Sequence, residues 1–137
     1  MKDTAFTGFE DAMIDFFWAI RFNNNREWFA EHKATYVEKI YEPMKALARE
    51  VCAGMEARYG LESLWRCSRI YRDARRPQPQ GPYRDHIWFV LAQQERWSIA
   101  PTFYAEISAE GISYGFGSYN CPPDFMKNMR AAMEANP

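Results

Sequence analysis

Through the first sixty positions the apolar residues recur every three to four places, and beyond Gly60 they recur every second place, so the chain changes from helical to strand periodicity once. Thr7-Gly8-Phe9-Glu10 has the form of a capping box. Phe9, Met13, Phe16, Phe17 and Ile20 follow at helical spacing and predict a helix over about 8–22. Asn23-Asn24-Asn25 ends it, because Asn side chains compete for backbone hydrogen bonds, and Asn24 with Glu27 three residues on is placed to cap the next helix. Trp28, Phe29, Tyr36, Val37 and Ile40 stripe that second helix as far as Glu42. Pro43 lacks an N–H and disfavours α geometry at Glu42, which predicts a kink or a restart. Met44, Leu47, Ala48, Val51, Cys52 and Met55 then carry the period to Tyr59, where Gly60 offers the stop.

Beyond Gly60 the alternation predicts strands at Cys67–Ala74, Asp85–Gln93, Thr102–Ser108 and Ile112–Tyr119. Phe103, Ala105 and Ile107 alternate with Tyr104, Glu106 and Ser108, and the short link Ala109-Glu110-Gly111 predicts a hairpin between the last two strands. Gly115 and Gly117 share one face of the fourth strand and would leave a groove for a helix or a ligand. Pro122-Pro123-Asp124 opens a last helix bearing Phe125, Met126, Met129 and Met133. Helices segregated before and after a block of about four strands indicate an α+β fold with an antiparallel sheet. The expected organisation is a single domain over residues 1–137, with a helical part at about 8–60, a sheet part at about 66–119 and a last helix at about 122–135.

Composition refines this picture without redirecting it. A chain of 137 residues, 47% hydrophobic and 17% aromatic, is globular and builds its core largely from rings. Its longest apolar runs, Phe16–Ile20 and Ile87–Ala92, fall far short of a membrane span, and Met1-Lys2-Asp3-Thr4 begins no signal sequence, so a cytoplasmic location is expected. Cys52, Cys67 and Cys121 are odd in number and widely spaced, and read as buried thiols.

The charge is unevenly distributed. Residues 66–86 hold six Arg and one His against two Asp, a formal +4, while the rest of the chain carries 11 Lys+Arg against 16 Asp+Glu, or −5. Guanidinium groups are permanent cations with rigid donor forks suited to phosphate and carboxylate, so this stretch suggests an anion-binding face at Arg69, Tyr71, Arg72 and Arg84. On a strand, Arg69, Tyr71 and Asp73 would share one face and Ile70 and Arg72 the other, placing an Arg on both. The competing reading is a structural Arg–Asp network at a solvated strand edge. Asp73, Tyr83 and His86 are the candidate catalytic groups. A His at that position can serve in acid–base work, or can simply cap the strand through the backbone. His32 shares a helix face with Trp28 and Tyr36 and reads as packing. Two His residues 54 positions apart make no metal site, and no nucleotide, nucleophile-elbow or Cys/His ligand motif is present, so no metal or cofactor is expected.

Two segments taken together carry a family resemblance: Phe6-Thr7-Gly8-Phe9 leading to Asn23-Asn24-Asn25-Arg26-Glu27-Trp28-Phe29 with His32 and Tyr36, and Arg69-Ile70-Tyr71-Arg72-Asp73 leading to Pro82-Tyr83-Arg84-Asp85-His86. With the later Phe103-Tyr104-Ala105-Glu106-Ile107 and Gly115-Phe116-Gly117, the pattern resembles the family of domain of unknown function 2461 over nearly the whole chain. The resemblance implies a recurrent architecture and no mechanism. Where the family pattern looks like Phe-Ser-Lys-Asp-Lys-Thr, this chain has Arg76-Pro77-Gln78-Pro79-Gln80-Gly81, so any role of those Lys and Asp side chains does not carry over. The resemblance also implies a further C-terminal helical region. A short or truncated member ending at Pro137 would expose apolar surface, available for a homodimer.

Three functional readings follow. The first is binding of a small anionic ligand at the Arg-rich hairpin, with catalysis as an extension; the second is a non-catalytic protein interaction module; the third is single-stranded nucleic-acid binding through Arg and interleaved rings. A net charge of −1 supplies no broad basic track and disfavours the third. No membrane partner is expected.

Overall fold

The computed structural model describes residues 4–93, 101–118 and 120–137. Helices α1 (Asp11–Phe22), α2 (Arg26–Tyr36) and α3 (Glu42–Tyr59) lead into strands β1 (Leu64–Cys67), β2 (His86–Ala92), β3 (Thr102–Ser108) and β4 (Gly111–Gly117), and helix α4 (Pro123–Ala135) follows. The strands form one antiparallel sheet in the order β1-β2-β3-β4, which is the α+β architecture that the change of period predicts.

The helix starts differ from the capping reading. α1 begins at Asp11 after an extended Glu10, and no side chain caps it. Glu10 is drawn off by an ion pair with Lys39, so the Thr7–Glu10 box does not close. Asn25, not Asn24, caps α2, with Oδ1 accepting from the Trp28 N–H at 2.9 Å. Of the kink or restart expected at Pro43, the structure has the restart: α3 begins at Glu42 with Pro43 in its first turn, after one turn of π-helix, Val37–Tyr41, in which the Glu42 N–H donates to the Val37 carbonyl. That wider turn relieves the clash Pro43 would make with the carbonyl four residues earlier, and the chain stays helical from Arg26 to Tyr59. Gly60 adopts φ 64°, the left-handed C′ geometry, and closes α3 with a hydrogen bond to the Glu56 carbonyl.

The largest correction concerns the first strand. Strand β1 ends at Cys67, and the predicted strand Cys67–Ala74 is instead the start of an irregular connection. The Ser68 side chain accepts from the Trp88 N–H, and Ser68 N–H donates to the Trp88 carbonyl, so pairing with β2 stops there. The fourth predicted strand is shifted to Gly111–Gly117, and its expected end, Tyr119, lies outside the described residues.

One side of the sheet carries the core. Ile87, Phe89 and Leu91 of β2 and Ile107 of β3 meet Met13, Phe16, Phe17 and Ile20 of α1, together with Phe29, Tyr36, Ile40, Met44 and Ala48. Each of the Ile, Leu, Met and Phe side chains contributes roughly 1.5–3 kcal/mol by leaving water. Directly opposed residues of an antiparallel sheet share a face, so the rows Leu91–Phe103–Phe116, Phe89–Ala105–Tyr114 and Ile87–Ile107–Ile112 all point to the helix side. The cover stops before β4, where Ile112, Tyr114 and Phe116 stand exposed. On the opposite face the groove expected at the glycines is taken up at Gly115 by the Tyr104 ring, whose atoms lie 3.1 Å from where a Cβ would be. Helix α4 buries no residue, and no helix among the described residues is long and apolar enough to cross a membrane.

Candidate functional site

Five of the six arginines lie in the long connection between β1 and β2, and Arg66 lies in β1 itself. A single antiparallel bridge pairs Tyr71 with Tyr83, flanked by hydrogen bonds from Arg72 N–H to the Pro82 carbonyl and from Arg84 N–H to the Ile70 carbonyl, both under 3 Å. The two arms of the loop therefore lie side by side without forming a regular strand. Asn24 clamps them from the α1–α2 junction: its Nδ2 donates to the Tyr83 carbonyl at 2.8 Å, and its Oδ1 accepts the Tyr83 N–H at 3.0 Å. This is why Asn24 does not cap α2. Gly81 is required beneath it, because its φ of 96° is left-handed and a Cβ would stand 2.5 Å from Asn24 Cγ.

Aromatic packing seats the loop on the helices. Tyr83 is buried and stacks on Phe29 at 4.3 Å between centroids, and Tyr71 meets both rings at 5.8 and 5.6 Å. Burial, and then the neighbouring Tyr71, raises the Tyr83 phenol, which stays protonated and makes a poor catalytic base. Tyr36 lies beneath, its phenol also raised by burial, and its hydroxyl is within electrostatic reach of Cys67, Tyr41, Tyr71 and Arg84. The Cys67 thiol is pushed up to about 12 by burial and is inert at neutral pH.

The arginines divide by what holds them. Arg84 Nη1 donates to the carbonyls of Arg69 and Tyr71 at 2.6 and 2.7 Å, while Arg72 Nε donates to the Tyr83 carbonyl at 2.9 Å and its Nη2 to Gln80. Both thus fasten the loop to itself through neutral acceptors. The Arg69 guanidinium is exposed and has no partner among the described residues. Asp73 joins none of these three: Arg75 grips both of its oxygens at 2.9 Å and Arg76 lies at 4.0 Å, and these contacts, the Arg75 side-chain hydrogen bonds first, lower its carboxyl below the usual range. Asp73 thus orients neither Arg69, Arg72 nor His86: the short reach of an Asp two residues before an Arg favours the local pair.

His86 belongs to a separate group. Its Nδ1 lies 3.1 Å from Asp85 Oδ1, and since a carboxylate only accepts, that nitrogen carries the proton and Nε2 is left as the basic site. Arg21 of α1 donates to Asp85 Oδ2 at 2.8 Å and also pairs with Glu110 in the β3–β4 turn. Burial opposes ionisation of Asp85, but the hydrogen bonds from His86 and Arg21 outweigh it and hold its carboxyl low. In place of a backbone cap, His86 forms an oriented pair with Asp85. Sequence reasoning missed Arg21, Asn24 and Glu110, because each reaches the loop or its root from another element. The Asn triplet was the one available signal, since only one Asn is needed as a cap. Among the described residues no three His, Cys, Asp or Glu side chains converge as metal ligands.

No curated protein and no solved structure matches the chain. A family model described as a conserved hypothetical protein, DUF2461, matches residues 12–137, a span that takes in both the clamp at Asn24 and the whole arginine loop. The chain accordingly belongs to the DUF2461 family of conserved hypothetical proteins.

Proposed function

We propose that the loop between β1 and β2 binds a small anionic ligand bearing phosphate or carboxylate, held by Arg69, Arg72 and Arg84 with the exposed Tyr71 ring as a side wall. One observation carries the reading: these three guanidiniums have no carboxylate partner among the described residues. Arg72 and Arg84 are anchored by neutral carbonyl and amide oxygens, which leave their full charge and their remaining donors available. Their side-chain freedom is already restricted, so less is lost when an anion binds.

Thermal-shift titration with inorganic phosphate, sulfate and nucleotides tests this. Wild type should be stabilised and Arg69→Ala/Arg72→Ala should not; Arg69→Ala alone, whose guanidinium holds no partner among the described residues, should weaken the response without changing the unliganded melting temperature. No stabilisation by any anion up to tens of mM would overturn the reading, because a Kd of about 1 mM gives more than roughly 1 kcal/mol at tenfold excess. Catalysis would rest on His86, whose Nδ1 is occupied by Asp85; His86→Gln should then leave anion binding intact. The second reading, docking to an acidic protein surface, is favoured by Arg75 and Arg76, whose side chains are 90% and 84% exposed. If it is the correct one, Arg75→Ala/Arg76→Ala should abolish binding to an acidic polypeptide while small anions give no response.

A further inference from the structure

Among the described residues, two apolar surfaces that lie next to one another in sequence are complementary in kind. One is the helix-facing side of β4, where Ile112, Tyr114 and Phe116 are 66%, 82% and 59% exposed although they continue the rows of the buried core. It runs into a cleft of about 340 Å³ at the end of the sheet, lined by Met55, Leu61, Leu91, Phe103 and Phe116. The other is helix α4, whose Phe125, Met126, Met129 and Met133 fall on one side at helical spacing, yet which buries none of them fully. β4 itself carries no charge, so a second copy meets no like-charge repulsion there.

We infer that these surfaces meet between two copies of the chain: the apolar side of α4 of one copy lies across the bare inner face of β4 of the other, and a two-fold axis repeats the contact. Each copy offers one exposed face and one helix side that is half-buried at Phe125, Met126 and Met129 and exposed at Met133, so a closed dimer completes the burial of both at once. The area suffices. Aromatic side chains bury roughly 150–250 Å² each. With Tyr114, Phe116 and Phe103 82%, 59% and 40% exposed, the rings alone supply about 300–450 Å² per copy, before Ile112 and the four apolar residues of α4 are added. Stable interfaces need about 800 Å² per partner. Methionine, used three times on α4, fills such an irregular cleft because its side chain is unbranched and flexible.

Light scattering coupled to size exclusion at tens of micromolar decides the matter. Wild type should run at twice its 16.1 kDa. Tyr114→Lys and, separately, Met129→Glu/Met133→Glu should each give a monomer with an unchanged circular dichroism spectrum, since none of these side chains is buried in the single copy. A monomeric wild type would overturn the proposal. So would a dimer that survives Met129→Glu/Met133→Glu, which would mean that bare β4 strands pair edge to edge without the helix.

Discussion

Asp73 accepts from Arg75 three times, through the backbone N–H and two guanidinium nitrogens, and from no other residue of the loop at hydrogen-bond distance. Both partners are solvated, so the pair is screened and each side chain surrenders rotamer freedom to keep it. Asp73→Asn should leave the urea midpoint unchanged within error, and a double-mutant cycle of Asp73→Asn with Arg69→Ala and with Arg72→Ala should show no coupling. Anion affinity should stay equal or tighten, because a competing negative charge is gone. A clear loss of stability, or coupling to either arginine, would return Asp73 to the centre of the site. The sequence placed Asp73 correctly among six arginines but could not choose its partner. That choice depends on a turn at Asp73–Arg76, where the backbone leaves the extended path on which alternation arguments rest.

At the scale of elements, the loop is held by a helix junction and by a glycine, and the two are interlocked. Asn24→Ala removes both hydrogen bonds to the Tyr83 backbone and should cost about 1–3 kcal/mol in chemical denaturation. Gly81→Ala should cost more than about 1 kcal/mol, because alanine is strained at φ 96° and its Cβ meets the Asn24 amide. The double variant should be less destabilised than the sum of the two, since the contacts with Cγ and Oδ1 disappear with the amide and only the Cβ contact at 2.7 Å stays. Strict additivity would show that the contact does not exist in solution. Helices and strands were legible because each buries one periodic face: Phe16, Phe17 and Ile20, or Ile87, Phe89 and Leu91, declare themselves. The π turn and the Asn24 clamp were not legible, because neither leaves a period. One depends on how Pro43 is accommodated and the other on a residue far away in the chain.

Taken as a whole, the molecule is cross-tied on one side by Arg21, which links α1 to the root of β2 through Asp85 and to the β3–β4 turn through Glu110. Glu110 is drawn to about 2 from an ordinary 4.5 by the Arg21 side-chain hydrogen bond, with Ser108 adding to it. Asp85 is also depressed, against its burial, by His86 and Arg21. Both folded values lie below the unfolded ones, so the stability they contribute is fully present above the ordinary carboxylate range and is lost as pH falls through the folded values. The melting temperature should hold steady down to about pH 5 and drop between about 4.5 and 2, and Arg21→Ala should flatten that drop. An Arg21→Ala profile parallel to wild type would show that the tie contributes nothing in solution. A different consequence follows from the clamp. β1 and β2 are neighbours in the sheet, yet the 18 residues between them are pinned by Asn24, 59 positions from its partner Tyr83. Closing such a hairpin carries the entropy of an 18-residue loop, part of which the helix junction offsets through the Asn24 bonds to Tyr83. Loosening the α1–α2 junction should therefore also loosen the arginine loop, and the two should lose hydrogen-exchange protection together.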